Sequence, residues 1–141
     1  MYRALTLSLG SSDLAREATD EAMARAYARW AKVSAFENPG GWVFRVGFNW
    51  AMSGWRKLRR ERPMPEHLPG VMAQPDPAGV HALHALSQLP RAQRAVVVCR
   101  ILLQLSTADT ATALGVAEGT VKSRLARGLA ALRVAMTEET T

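Results

Sequence analysis

Trp42, Arg45, Asn49, Ser53, Arg56 and Arg60 recur at three- and four-residue intervals, the spacing that aligns side chains along one side of a helix. An indole, an amide and several guanidiniums on one exposed surface suit a particular chemistry. The ring offers a platform for an unpaired base, and the cations hold phosphates. The competing reading is plainer: core aromatics beside a solvated basic face, with Arg56-Lys57-Leu58-Arg59-Arg60 and Arg62 answering a helix C-terminal dipole. From these residues alone both readings stand.

A second set is Thr120, Lys122, Ser123, Arg124 and Arg127, with Gly119 beside them. Small residues near the start of a helix allow close approach to a groove floor. Hydroxyls and cations can then donate to base edges and phosphates. A third set, Glu17, Asp20 and Glu21, forms an acidic arc that by itself reads as a solvated face. Other chemistries lack support. His81 and His84 stand three apart with His67 nearby, but no acidic cluster accompanies them, so no metal centre and no cofactor is expected. The lone Cys99 lies within an apolar run and reads as a small core residue. A single cysteine also excludes a disulfide framework within the chain and a Cys-rich zinc site.

These faces need a scaffold to position them. The chain has 141 residues, 48% hydrophobic and 21% charged, a balance that argues for a folded protein. No apolar run approaches the roughly 20 residues that cross a bilayer, and no secretory pattern opens the chain. A soluble, cytoplasmic protein is the expectation. A net charge of +6 points to a polyanionic partner. That charge is unevenly spread: residues 1–62 carry net +5, residues 63–89 net −2 and residues 90–141 net +3. Six of the seven prolines lie between Arg62 and Arg91. The pattern predicts an all-α chain of two small helical domains, residues 1–62 and 80–137, joined by a semi-rigid Pro-rich linker over 63–79.

No segment alternates as a strand would. Ser11, Ser12 and Asp13 are cap residues before a helical segment from Leu14 to Val33. Ala18, Ala22, Met23, Ala26, Tyr27, Trp30 and Val33 fall on its apolar side. Asn38 caps the next helix with Pro39 at its first position, and Val43, Phe44, Phe48, Ala51, Trp55 and Leu58 share its inner face. In the second module a helix runs from about Val80 to Gln88, and another starts at Pro90 through the apolar run 95–103. Ser106 caps a short helix, with Asp109 three residues on. Gly115 suits a left-handed turn at its end. A last helix extends from about Glu118 to Met136 and is expected to bury Val121, Leu125, Leu132 and Met136. Short helix, glycine turn and longer helix with a small, basic outer face form a helix-turn-helix pattern. A generic helical hairpin is the alternative, and the outer face favours DNA reading.

Residues 89–133, LPRAQRAVVVCRILLQLSTADTATALGVAEGTVKSRLARGLAALR, closely resemble region 4 of bacterial RNA polymerase sigma factors. Glu118-Gly-Thr-Val-Lys-Ser-Arg-Leu125 is the specific part, and it is similar to the extracytoplasmic-function (ECF) group. REATDEAMARAYARW (16–30) and ENPGGWVFRVGFNWAMSGWRKLRRER (37–62) resemble that group's region 2. The order region 2, short linker, region 4 is also the group's layout. The resemblance implies a transcription initiation factor, without enzymatic chemistry of its own, that brings RNA polymerase core to promoters and opens the minus-ten element. It implies docking of Glu17, Asp20 and Glu21 on the clamp helices of the β′ subunit, with the flap of β as a further contact. It places Trp42, Arg45 and Asn49, with Arg56 and Arg60, at the minus-ten element, where an extruded base is held. It places Thr120, Lys122, Ser123, Arg124 and Arg127 at the minus-thirty-five element, and it leaves open an anti-sigma factor as a further partner. The rival from another class is a stand-alone helix-turn-helix regulator, which needs neither the acidic arc nor the Trp42–Asn49 face.

Overall fold

The computed structural model describes residues 1–58 and 77–140, and every regular element among them is helical. In chain order these are α1 (Tyr2–Leu9), α2 (Ser12–Ala28), α3 (Trp30–Val33), α4 (Pro39–Leu58), α5 (Pro77–Ser87), α6 (Arg91–Val97), α7 (Thr107–Leu114) and α8 (Glu118–Thr140). A π-helical turn, Val98–Leu102, prolongs α6. Most of the expected linker, residues 63–76, lies outside the described residues. Its last part is already helical, because α5 starts at Pro77 rather than near Val80. Proline at a first helical position forfeits no hydrogen bond, so the residue that signals a break also starts a helix.

The caps explain the boundaries. Ser11 accepts from the Leu14 amide at 3.2 Å, and Asn38 Oδ1 accepts from the Gly41 amide at 3.0 Å. Ser106 Oγ accepts from Asp109 N–H at 2.9 Å, while Gly115 ends α7 at φ 69°. Each satisfies a backbone group that the first or last helical turn leaves open.

Burial departs from the sequence pattern on α2. Its inner stripe is made of small residues, Ala15, Ala18, Ala22 and Ala26, while Met23 and Tyr27 are exposed, as is Trp30 on α3, where the helix expected from Leu14 to Val33 breaks at Arg29. The cause is the close approach of α4. At Gly47 a Cβ would stand 3.2 Å from the Ala18 carbonyl oxygen and 3.3 Å from Ala22 Cβ. Only a seam of Ala and Gly permits that spacing, so the large side chains rotate outward. On α8 the seam is again a glycine: a Cβ at Gly128 would stand 2.9 Å from Val97 Cγ2. Val121 is fully buried, Leu125 and Leu132 are half-buried, and Met136, expected inside, is exposed.

Helix α1, which the sequence reading did not propose, ends at Gly10 in the left-handed region (φ 76°) and lies at the centre. Leu5, Leu7 and Leu9 are all buried because α2, α4, α6 and the π turn surround it. One core therefore draws on both halves: Leu5, Leu9 and Phe44 from the first, and Val98, Cys99, Leu105 and Ala113 from the second. The helices of residues 1–58 and those of residues 77–140 thus share one interior. Modules of about 60 residues are only marginally stable on their own, and joining the cores raises the buried fraction. Arg94, fully buried, ties the halves together: its Nε donates to the Leu7 carbonyl at the end of α1, and Nη1 donates to the Leu89 carbonyl at 3.0 Å. A cation at a helix C-terminus meets the negative end of the dipole there. Among the described residues, no helix is long and apolar enough to cross a membrane.

Candidate nucleic-acid interface

The first surface starts from a single turn. Capped by Asn38 and Pro39, α4 begins where Phe36 packs against Trp42, their ring centroids 6.3 Å apart and tilted by 49°. Phe44 and Ala51 are fully buried, and this sets the rotation of α4. Trp42 then stands half-buried at the rim, while Arg45, Asn49 and Ser53 follow on the exposed face. Together they line one wall of an open hollow of about 540 Å³. Arg56 continues along α4, but its side chain, like the whole of Arg60, lies outside the described residues.

The opposite wall comes from α2, and the sequence reading missed it. Arg25 and Arg29 face Trp42, Arg45 and Asn49 across the hollow, with Trp50 and Val46 contributing apolar surface. The four-residue interval of Arg25 and Arg29, next to Ala22 and Ala26, places them on one side of the helix but does not say what lies opposite. Of the acidic arc, Glu17 and Asp20 are exposed and Glu21 is half-buried. Glu21 Oε1 lies 2.9 Å from Arg25 Nε, so the arc and the hollow meet at this pair. The exposed Met23 and Tyr27 share the outer side of α2 with Asp20, which makes this surface more apolar than the sequence implied.

The second surface is the α7–turn–α8 unit. Val96, Ala111 and Val121 form the small core that locks the two helices, with Leu114, Val116 and Leu125 against it. Lys122, Ser123 and Arg127 project into solvent, and Thr120 and Arg124 are half-buried. Ser123 Oγ donates to the Thr120 carbonyl at 3.1 Å. Arg124 borders a cleft of about 250 Å³ shared with Phe48 and Met52 of α4. The structure thus brings Trp42, Arg45 and Asn49 to one site and the five α8 residues to another.

Residues 82–132, from α5 to α8, match the family model "Sigma-70, region 4". The chain is 37% identical over 124 residues to the RNA polymerase sigma-E factor of Streptomyces antibioticus, across 84% of this chain and 68% of that protein. It is 34% identical over 136 residues to the ECF RNA polymerase sigma factor SigM of Mycobacterium tuberculosis, across 94% and 69%. The chain belongs to the ECF RNA polymerase sigma factors. A solved structure of the sigma factor RpoE, in complex with the anti-sigma factor NepR from Bartonella quintana, resembles this sigma factor with a TM-score of 0.74 at 26% identity. The superposition covers 96% of this chain and 89% of the other. Both kinds of match extend well outside residues 82–132, which favours an initiation factor over a stand-alone regulator. As a sigma factor, the chain directs RNA polymerase core to promoter DNA.

Proposed function

We propose that the two surfaces divide promoter recognition between them. Trp42, Arg45 and Asn49 capture an unpaired base of the minus-ten element, with Arg56 and Arg60 continuing the basic path. Thr120, Lys122, Ser123, Arg124 and Arg127 read the minus-thirty-five element as duplex. Glu17, Asp20 and Glu21 dock on the polymerase core. The factor works in the cytoplasm with no chemistry of its own, and an anti-sigma factor is a further partner, as the neighbour's complex suggests. Residues 1–62 and 80–137 act as the two functional halves.

The observation that carries this reading is the hollow in front of α4. An indole at its rim, an amide and guanidiniums along its wall supply what a flipped base needs. Holding that base offsets the few kcal/mol of unpairing, so binding energy opens the duplex without nucleotide hydrolysis.

The test separates the two surfaces. Trp42→Ala should leave closed-complex binding of holoenzyme nearly intact and reduce open complex, read by permanganate reactivity of unpaired thymines. Arg124→Ala should weaken recruitment itself, by roughly 1–3 kcal/mol for a base contact. A premelted template should rescue transcription by the first variant more than by the second. Loss of duplex binding in Trp42→Ala, or unchanged melting, would refute the division of roles.

A further inference from the structure

Three guanidiniums converge on the hollow: Arg25 and Arg29 from α2, and Arg45 from α4. No carboxylate among the described residues lines it. Among the described residues, Glu21 is the one acid paired with any of the three. Cations that line one hollow repel one another, and the field they leave attracts an anion. Planar guanidinium forks also match the geometry of phosphate oxygens. The opening, about 540 Å³, falls within the range of pockets that take a small ligand. With Trp42 and Trp50 in the walls, the ligand that fits is an unpaired nucleotide carrying its flanking phosphates.

Arg29 is suited to that task by its position. It ends α2 at φ −121° and ψ 26°, where the chain breaks before α3, and it is exposed. Arg25 sits one turn earlier with its Nε on Glu21 at 2.9 Å. The two side chains of that pair remain 51% and 38% exposed, so the pair is weak and readily exchanged.

We infer that Arg25 and Arg29 hold the phosphates that flank the captured base, and that Glu21 occupies Arg25 until polymerase core takes up that carboxylate. This rests on the reading that Trp42 and Asn49 capture a base. Docking at Glu21 then releases a cation into the hollow. By reciprocity, single-stranded DNA in the hollow strengthens docking by the same factor.

The probe is a fork-junction DNA with an unpaired minus-ten non-template strand, taken from a promoter that wild-type holoenzyme transcribes. Affinity is read by fluorescence anisotropy over a range of salt. Arg25→Ala and Arg29→Ala should each weaken holoenzyme binding roughly three- to tenfold. Each should also flatten the logarithmic salt slope by about 0.7 per lost contact. Arg29→Lys should keep the slope, and Arg29→Ala should leave affinity for core unchanged. In the free chain, Glu21→Gln should raise probe affinity by up to about fivefold, a gain absent from the Arg25→Ala background. Unchanged affinity and slope in both arginine variants, with binding lost in Trp42→Ala, overturns the phosphate assignment alone. Equal probe affinities for Glu21→Gln and wild type overturn the release step. If Trp42→Ala also binds normally, the underlying base-capture reading fails instead.

Discussion

At the scale of single residues, Cys99 shows how burial turns into a measurable property. It is fully buried in the core built from both halves, and desolvation raises its thiol pKa from an ordinary 9.0 to about 12. The folded state therefore keeps its proton while the unfolded chain loses it above pH 9. Stability should fall across the window from about 9 to about 12, by at most about 1.4 kcal/mol per pH unit. Urea unfolding at pH 8 and pH 10.5 should show this decline in wild type, and a shallower one in Cys99→Ala. An equal decline in both proteins would assign the effect to other groups. The burial of Cys99 was legible from its apolar run, as was the grouping of Trp42, Arg45 and Asn49 from their spacing. Arg25 and Arg29 were not, because a periodic pattern within α2 does not say which helix packs across from it.

At the scale of elements, the glycines of α4 make opposite predictions. Gly47→Ala would press a methyl to within 3.1 Å of Leu5 Cδ1 and 3.2 Å of the Ala18 carbonyl oxygen. Backbone cannot yield as a side chain does, so overpacking should cost about 1–3 kcal/mol despite the better helix former. Gly54→Ala, with no described atom within 4 Å of the new Cβ, should stabilise by roughly 0.5–1 kcal/mol. Thermal denaturation of the two variants checks both signs. The same seam explains what the sequence showed of the elements and what it hid. Ser11, Asn38, Ser106 and Gly115 announced their helix ends, because capping is settled within a few residues. The apolar side of the segment from Leu14 to Val33 was drawn too wide: Ala18, Ala22, Ala26 and Val33 are inside, as expected, but Met23, Tyr27 and Trp30, grouped with them by hydrophobicity, are not. Close packing against α4 admits only the small residues of α2. Helix α1 escaped notice although Gly10 marks its end, because in eight residues its narrow outer side, Tyr2, Arg3 and Thr6, spans too few turns to set a period.

At the scale of the whole molecule, the proposed contacts and the shared core compete. Minus-ten and minus-thirty-five elements lie about 25 base pairs apart, roughly 85 Å at 3.4 Å per pair. A compact chain of this length is only about 40 Å across. Leu105 and Cys99 must therefore part from Leu5 and Phe44 before both elements are held. Cys99 supplies the readout. Labelling by a thiol reagent at pH 8 should be slow in the free chain and should quicken when polymerase core and promoter are added. A labelling rate unaffected by core and promoter together would mean that the halves stay joined. Sequence patterning could not foresee this joint interior, for an apolar residue declares that it will be covered but not by what. The tight fit of Gly41 against Leu105, where a Cβ would stand 2.7 Å from Cδ2, keeps the halves together at one edge. Its consequence is a matter of dosage. If only about a hundredth of the chains are open, a promoter held at both elements is bound with an apparent Kd about a hundredfold weaker than the intrinsic one. Such a factor would stay silent at low copy number and compete poorly for a limited set of promoters. Loosening the seam would raise transcription without one added molecule or one altered DNA contact.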